Sequence, residues 1–526
     1  MNDKKYVNYI DFGAVGDGVA DDFSAICAAH DYANEHSLPV VIDDGRTYLV
    51  RQNIIDGVLR YATVKTDVNW GSANIVIDDT DIDYFDALGS SLSPIFKVVS
   101  DYEPTEITDK DILSGLGKIG EGTSKIDLTL GYPALLVIYN DDRRVYRRYG
   151  ATYTNQSSPQ NEILLIDADG NIDPSTPFMF EYDKLTRITV LRADVTPITI
   201  KGGRITTLAC RKNPINEQTG ARARYVQRNI LINRSNVTLD GVEHFVEGEV
   251  ELSAFAESGL AGAHYWGFFN PYFANNVTLK NCVLTGRRSF RYSTYEFLAD
   301  HVNSIRLVGC KQSNFTLIDE EGKEVFSMSF SPLTKWPRCW GIGGTNFCKN
   351  MEYENCRLSR FDAHQGLYNG KIKDSEINFM EIIGKGELLI ENVIWNSPAP
   401  GRIYNSFAYL RDDFGCTWQG NITFKDCTFN VSEGDAQVFF YRYVDWDFGY
   451  ECHFPSLLID NPTVNGLSEG ARLYIVKNEM KNVGNTVSPS FIKVINNKNG
   501  YDFLLPESEF FDNTEKTGVK EISIEI

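Results

Sequence analysis

Eight stretches decide how this chain folds: NVTLDGVEHF (236–245), NVTLKNCVL (276–284), SIRLVGCKQ (304–312), MEYENCRL (351–358), GKIKDSEINF (370–379), ELLIENVIW (387–395), NITFKDCTF (421–429) and SLLIDNPTV (456–464). Each reads apolar–x–apolar–x, then a polar Asn, Gly or Asp corner, then a second short apolar run. The residue just after the corner is Val242, Cys282, Cys310, Cys356, Ser375, Val393, Cys427 and Pro462, at successive gaps of 40, 28, 46, 19, 18, 34 and 35 residues. The two shortest gaps are bare repeats; the longer ones hold a repeat plus an inserted loop. A short period with strand character predicts a solenoid of stacked β-coils. Such a fold presents a long, ridged surface suited to a polymer.

The size fits this reading. A chain of 526 residues exceeds the usual single core, whereas in a solenoid each coil contacts only its neighbours. A formal net charge of −20 excludes nucleic acid and anionic membrane surfaces as partners. Local basic clusters still admit an anionic polysaccharide: Arg143, Arg144, Arg147 and Arg148; Arg222, Arg224 and Arg228; Arg287, Arg288 and Arg291. Most of these read as solvated faces. The 10 cysteines include no CxxC pair and no zinc spacing. Four lie on the corner column, where a small apolar residue suffices, so free thiols in the core are expected, and no metal or other cofactor. No apolar run of about 18 residues exists to span a bilayer. The opening MNDKKYVNYIDFG carries no signal-peptide stretch; for the expected extracellular or virion-associated location, the chain is exported by another route, is carried on a virion, or has a leader that this sequence lacks.

The segment YIDFGAVGDGVADDFSAICAAHDYANEHSLPVVIDDGRTYLV (9–50) begins with turns at Gly13, Gly16 and Gly18. Asp21 or Asp22 caps a helix running to about Glu35, with Ala25, Ile26, Ala29 and Ala33 on its apolar face. Val40 to Ile42 is then a strand. A helix feeding a strand ladder plugs the open end of a solenoid. This run resembles the opening of the pectate-lyase-like right-handed parallel β-helix superfamily, which includes polygalacturonase-like hydrolases, polysaccharide lyases and phage tail-spike depolymerases. The resemblance implies an all-β, right-handed, single-stranded parallel β-helix with an N-terminal helix cap, and a structural rather than catalytic Asp21–Asp22 pair. Resemblance to tail spikes also implies a homotrimer, although no coiled-coil heptads are visible.

Four segments are expected: the cap and first coils at 1–96, a β-rich insertion at 97–197, coils with long loops at 198–470, and closing strands at 471–526. The insertion holds ALLVIYN, EILLIDADG and RITVLRAD. Its DADGNID lacks the full ligand spacing of a calcium loop and reads as a hairpin turn.

Chemistry concentrates in CRLSRFDAHQGLYNGKIKDSEINFMEIIGKGELLIENV (356–393). Strand alternation places Asp362 and His364 on one face, expected to meet solvent. With Cys356 over Ser375, position 362 stacks on Glu381. Two close carboxylates split their pKa values, supplying acid and base. A second cluster, FAYLRDDFGCTW (407–418), offers Arg411, Asp412 and Asp413. This Asp pair resembles that of polygalacturonase-like enzymes, without their glycine-flanked histidine; Arg402–Ile403–Tyr404 is a fragment of their Arg–Ile–Lys. FDAH resembles the Phe–Asp–Pro–His segment of alginate-modifying epimerases, with Ser359 where they carry Tyr. In a lyase or epimerase, Arg288, Arg291 or Arg411 would neutralise a uronate and His364 would act as base. Trp266, Tyr272, Trp446 and Tyr450 are candidates to stack on sugars, with Trp336, Trp340 and Trp418 as further options. The expected function is cleavage of a polysaccharide, by hydrolysis through Asp362, His364, Asp413, Asp412 and Glu381. A non-catalytic glycan-binding tail protein and a uronate lyase or epimerase are the alternatives.

Overall fold

The computed structural model describes residues 5–524 apart from 151–156, 211, 213–214, 217, 222, 224, 249–264, 286–294, 314–315, 319–323, 327–342, 397–405, 432–433, 442–443, 445, 479–486, 488 and 505–520. The chain divides into two compact units. One comprises Met1–Asp101, Asp194–Ala299 and Arg306–Gly343; the other comprises Tyr102–Ala193, Asp300–Ile305 and Gly344–Ile526.

The corners explain the repeat. Gly241, Asn281, Gly309, Asn355, Asp374, Asn392, Asp426 and Asn461 all adopt left-handed backbone, with φ from 48° at Asp374 to 72° at Gly241. Only Gly, and to a lesser degree Asn and Asp, enter that region at small cost. The side chains also stack from coil to coil: Asn392 donates to Asp374 at 2.7 Å and Asn461 to Asp426 at 2.6 Å. The following residue is buried in every repeat. Its Sγ–H or O–H turns back to the carbonyl two residues earlier, at 3.4 Å in Cys282 and Cys356 and 2.6 Å in Ser375. The column takes a small buried residue, with a side-chain donor at Cys282, Cys356 and Ser375 and none at Val242, Val393 and Pro462. All nine described cysteines are free thiols, eight of them buried.

In the first unit, Val40–Val41, Val68–Asp78, Ile198–Leu208, Val237–Asp240 and Phe269–Lys280 pair in parallel. Their register stacks Val68, Ile200, Leu239 and Leu279 in one buried column. The helix Phe23–His36 buries Phe23, Ile26, Cys27, Ala29, His30 and Ala33. The His30 ring packs on Tyr9 and Phe96. Asp22 holds the N-cap position, while the Asp21 side chain accepts from the first helical N–H, Phe23, at 3.2 Å. The Asp22 side chain accepts from Val15 N–H at 2.6 Å and Leu49 N–H at 3.3 Å, tying the entry loop to the first coil.

In the second unit, Ser158–Ile166, Ala134–Val145, Arg187–Arg192 and Thr105–Ile107 form an antiparallel sheet in that order. The residue 167–170 segment is a turn: Asp167 accepts from Asp169 and Asn171 N–H, and Gly170 has φ 85°. The remaining strands are parallel rungs. Tyr353, Ile372, Ile390, Phe424, Ile459 and Val494 follow one another in register, buried. The ladder does not stop near residue 470: Leu473–Asn478 and Phe491–Ile495 are further parallel rungs rather than a separate closure. Lys349, on the rung Thr345–Glu354, donates to Glu162 at 2.7 Å and to the Pro177 carbonyl at 2.5 Å, fastening the antiparallel sheet to the coils.

Candidate active site

Arg357–Asp362 pairs in parallel with Glu376–Ile382, and the pairing sets Asp362 opposite Glu381. Glu381 is in turn opposite Tyr409 on Ser406–Leu410. Alternation sends Phe361, Met380 and Ala408 into the core, each fully buried. Arg360, Asp362, Glu381 and Tyr409 therefore point away from it.

That outward face is not open to water. Val145 and Tyr146 from the antiparallel sheet form an apolar cluster with Phe347, Ile383 and Phe414, backed by Phe180 and Tyr450. Asp362 is 0% exposed, Arg360 1%, Arg411 2% and Glu381 6%. The expectation that Asp362 meets solvent is corrected: its strand face is right, but other segments roof it.

The charges interlock. Arg360 Nη2 lies 2.9 Å from Asp362 Oδ2 and also hydrogen-bonds Glu381 Oε2. Arg411 Nε is 3.4 Å from Glu381 Oε1. Arg411 also forks onto Asp413, at 3.0 and 2.8 Å. Arg148 reaches across 265 residues of sequence to Asp413 at 2.5 Å, and Tyr149 N–H donates to the Asp413 carbonyl at 2.7 Å. Both guanidinium groups lie near the Phe414 ring, 4.7 Å away for Arg411 and 5.6 Å for Arg148. The turn that presents these groups, Asp412–Phe414, closes on Gly415 at φ 84°. A Cβ there would sit 2.5 Å from Cys452 Sγ, so both backbone and space demand glycine.

Burial and neighbours separate the carboxylates. Burial pushes Asp362 up to about 7; Glu381 adds to the rise, while Arg360 and Arg411 only partly offset it. Burial would also raise Asp413, but Arg411 and Arg148 outweigh it and hold that carboxyl well below the usual range. His364 is half-buried. Burial, then Arg411, Arg148 and Arg360, keeps it far below the usual imidazole value. Arg411 Nη1 hydrogen-bonds His364 Nδ1. An arginine only donates, so Nδ1 carries a lone pair and the proton sits on Nε2. Burial and Asp412 raise Tyr409, whose hydroxyl donates to Asp412.

Two assigned roles change. His364, expected as a base, has its Nδ1 engaged by Arg411 and is held well below the usual imidazole value. Asp413 is a fixed anion that positions Arg411 and Arg148, not a proton carrier near neutrality. Of the aromatics, Tyr450 donates to the Phe414 carbonyl. Trp446 stands edge-on to the exposed Tyr149 at 6.0 Å, with Arg147 over its ring at 4.8 Å. Trp266 and Tyr272 belong to the other unit. Trp418 is a core residue. Arg288, Arg291, Arg402–Ile403–Tyr404, Trp336 and Trp340 lie outside the described residues. Sequence reading missed Arg360, although it lies two residues before Asp362 on the same strand face. It placed Arg148 only in a basic cluster and missed Tyr149; no local pattern joins either to Asp413.

No family model matches the chain, and no curated protein matches it by sequence. Solved structures similar to it include the tailspike gp61 of Pseudomonas phage phi297, at 11% identity over 94% of this chain and 80% of that one, TM-score 0.47. The tailspike protein gp49 of Pseudomonas phage LKA1 is 13% identical over 95% and 81%, TM-score 0.46. The Gp54 tailspike of Acinetobacter baumannii bacteriophage AP22, in complex with A. baumannii capsular saccharide, is 11% identical over 99% and 79%, TM-score 0.45. These likenesses give no residue a role. By its parallel rungs, left-handed corners and stacked buried columns, the chain folds as a right-handed parallel β-helix.

Proposed function

We propose that the Asp362–Glu381 pair donates a proton to a glycosidic oxygen, and that the protein cleaves a polysaccharide outside the cell. One observation carries this reading: a wholly buried Asp362, pushed up to about 7, stacked in register on Glu381. Asp362 therefore holds its proton near neutrality, as a general acid requires. Glu381 is the member nearer solvent, its side chain 9% exposed, and delivers that proton. Asp412, oriented by Tyr409, is the second carboxylate and acts on water or on the sugar. His364 offers Nε2–H to a hydroxyl. Tyr149 and Trp446 supply aromatic surface for the C–H face of a pyranose.

The second reading is glycan binding without turnover. It is favoured by the even match of three guanidinium groups, Arg148, Arg360 and Arg411, against Asp362, Glu381 and Asp413, which could be a purely structural network. A panel of bacterial and plant glycans separates the readings. New reducing ends mark hydrolysis, unsaturated uronate absorbance marks elimination, and binding without either marks an adhesin. Glu381→Gln and Asp362→Asn should each lower cleavage roughly 10²–10⁴-fold with the circular dichroism spectrum retained. Full activity in both variants would remove the pair from the mechanism. Cleavage should also fall as pH rises through about 7, where Asp362 loses its proton.

A further inference from the structure

We propose that a cleft in the first unit binds a neutral or amine-bearing sugar residue, separately from the candidate active site. The cleft holds about 400 Å³, within the range of small-molecule sites. Its walls come from residues 51–54, from the acidic run DDTDIDYFD (78–86), and from Ser90 and Arg228. The Arg228 and Asp79 side chains are both 0% exposed and hydrogen-bonded through Arg228 Nε. Arg228 Nη2 donates to the Arg51 carbonyl at 3.0 Å, and Tyr265 Oη donates to the other Asp79 oxygen at 3.1 Å. Ile82 and Tyr84 anchor the acidic run by packing with Cys210, Val226 and Tyr265. These contacts make the cleft wall a built surface.

Two buried polar atoms of the lining residues have no hydrogen-bond partner: Arg228 Nη1, a donor, and Asn53 Oδ1, an acceptor. A sugar hydroxyl accepts from the first and donates to the second, whereas an ammonium only donates and a carboxylate or phosphate only accepts. The mouth selects further. Asp78, Asp81, Asp83 and Asp86 line it, and the lining cation Arg51 is already paired with Asp78 at 3.4 Å. That field repels a uronate or a phosphorylated sugar. Among the described residues no group of three His, Cys, Asp or Glu is arranged to hold a metal ion.

Calorimetry and saturation-transfer NMR on the full chain, with D-glucose, N-acetyl-D-glucosamine, D-glucosamine and D-glucuronate, test this. At least one of the first three should saturate, and glucuronate should bind at least about tenfold more weakly. Ile54→Trp, filling the cleft from its half-buried wall, should weaken binding at least about tenfold. Asp83→Asn, at the mouth, should narrow the discrimination against glucuronate and keeps the test open if the tryptophan variant misfolds. Glu381→Gln should leave this binding unchanged. Saturation by none of the sugars, a preference for glucuronate, or loss of binding in Glu381→Gln would each overturn the proposal.

Discussion

Glu391 and Asp362 are both carboxylates at outward strand positions of the second unit, each facing a residue one rung away. Glu391 faces Lys425, and their side chains meet at 2.8 Å with 25% and 44% exposure. Its carboxyl is lowered, chiefly by that lysine. Asp362 faces Glu381 beneath an apolar roof, and its carboxyl is raised. The same register device thus gives a solvated ion pair at one position and a buried carboxyl that holds its proton at the other. Water makes the difference: it screens the first ladder and is excluded from the second, where desolvation outweighs two nearby guanidinium groups.

The strongest way to break this contrast is Arg360→Leu, which leaves two buried carboxylates without their bridging cation. We expect a loss of about 4 kcal/mol at pH 8 by chemical denaturation, largely regained at pH 5 where Asp362 is protonated. A loss no greater than that of a Lys425 variant would show that the ladders do not differ. Lys349→Met should cost about 3 kcal/mol, because Glu162 stays buried without its cation. If the antiparallel sheet also loosens, the roof opens and the Asp362 titration, followed by NMR, should move down toward the usual aspartate value. Asp413→Asn, at a site still 23% exposed, should cost about 2 kcal/mol and free both arginines.

The pH dependences have opposite signs and sharpen the comparison. Asp362 is raised, so its contribution is complete below the unfolded value near 4 and disappears as pH rises through about 7. Asp413 is lowered, so its contribution is present above about 4 and disappears on acidification. Asp362→Asn should flatten the fall in melting temperature between pH 4 and 7, and an unchanged slope would assign that fall elsewhere. The smallest effect is expected from Lys425→Ala on the solvated ladder: no shift in melting temperature beyond error at 0.15 M salt.

Much of this was legible before any coordinates. The Asn, Gly and Asp corners marked each bend, because few other residues enter left-handed backbone. The column of Cys282, Cys310, Cys356, Ser375 and Cys427 carried the register, and that register placed Asp362 over Glu381. What local pattern could not show was the roof. Strand alternation separates the two sides of a strand but says nothing of what later covers the outer one. Tyr146, Arg148 and Tyr149 arrive from an insertion more than 200 residues away, so Asp362 read as exposed and Arg148 as a solvated charge. His364 read as a base for the same reason, since only proximity to Arg411 fixes its tautomer.

By itself, then, the sequence determined the coil, its corners and the stacking of rungs, because these follow from backbone preference and period-two burial within a few tens of residues. Only the tertiary structure decided which charges lose water, which guanidinium groups reach which carboxylates, and hence which acid keeps its proton. Those outcomes depend on desolvation and Coulomb interactions between groups brought together by packing, and distance along the chain carries no record of them.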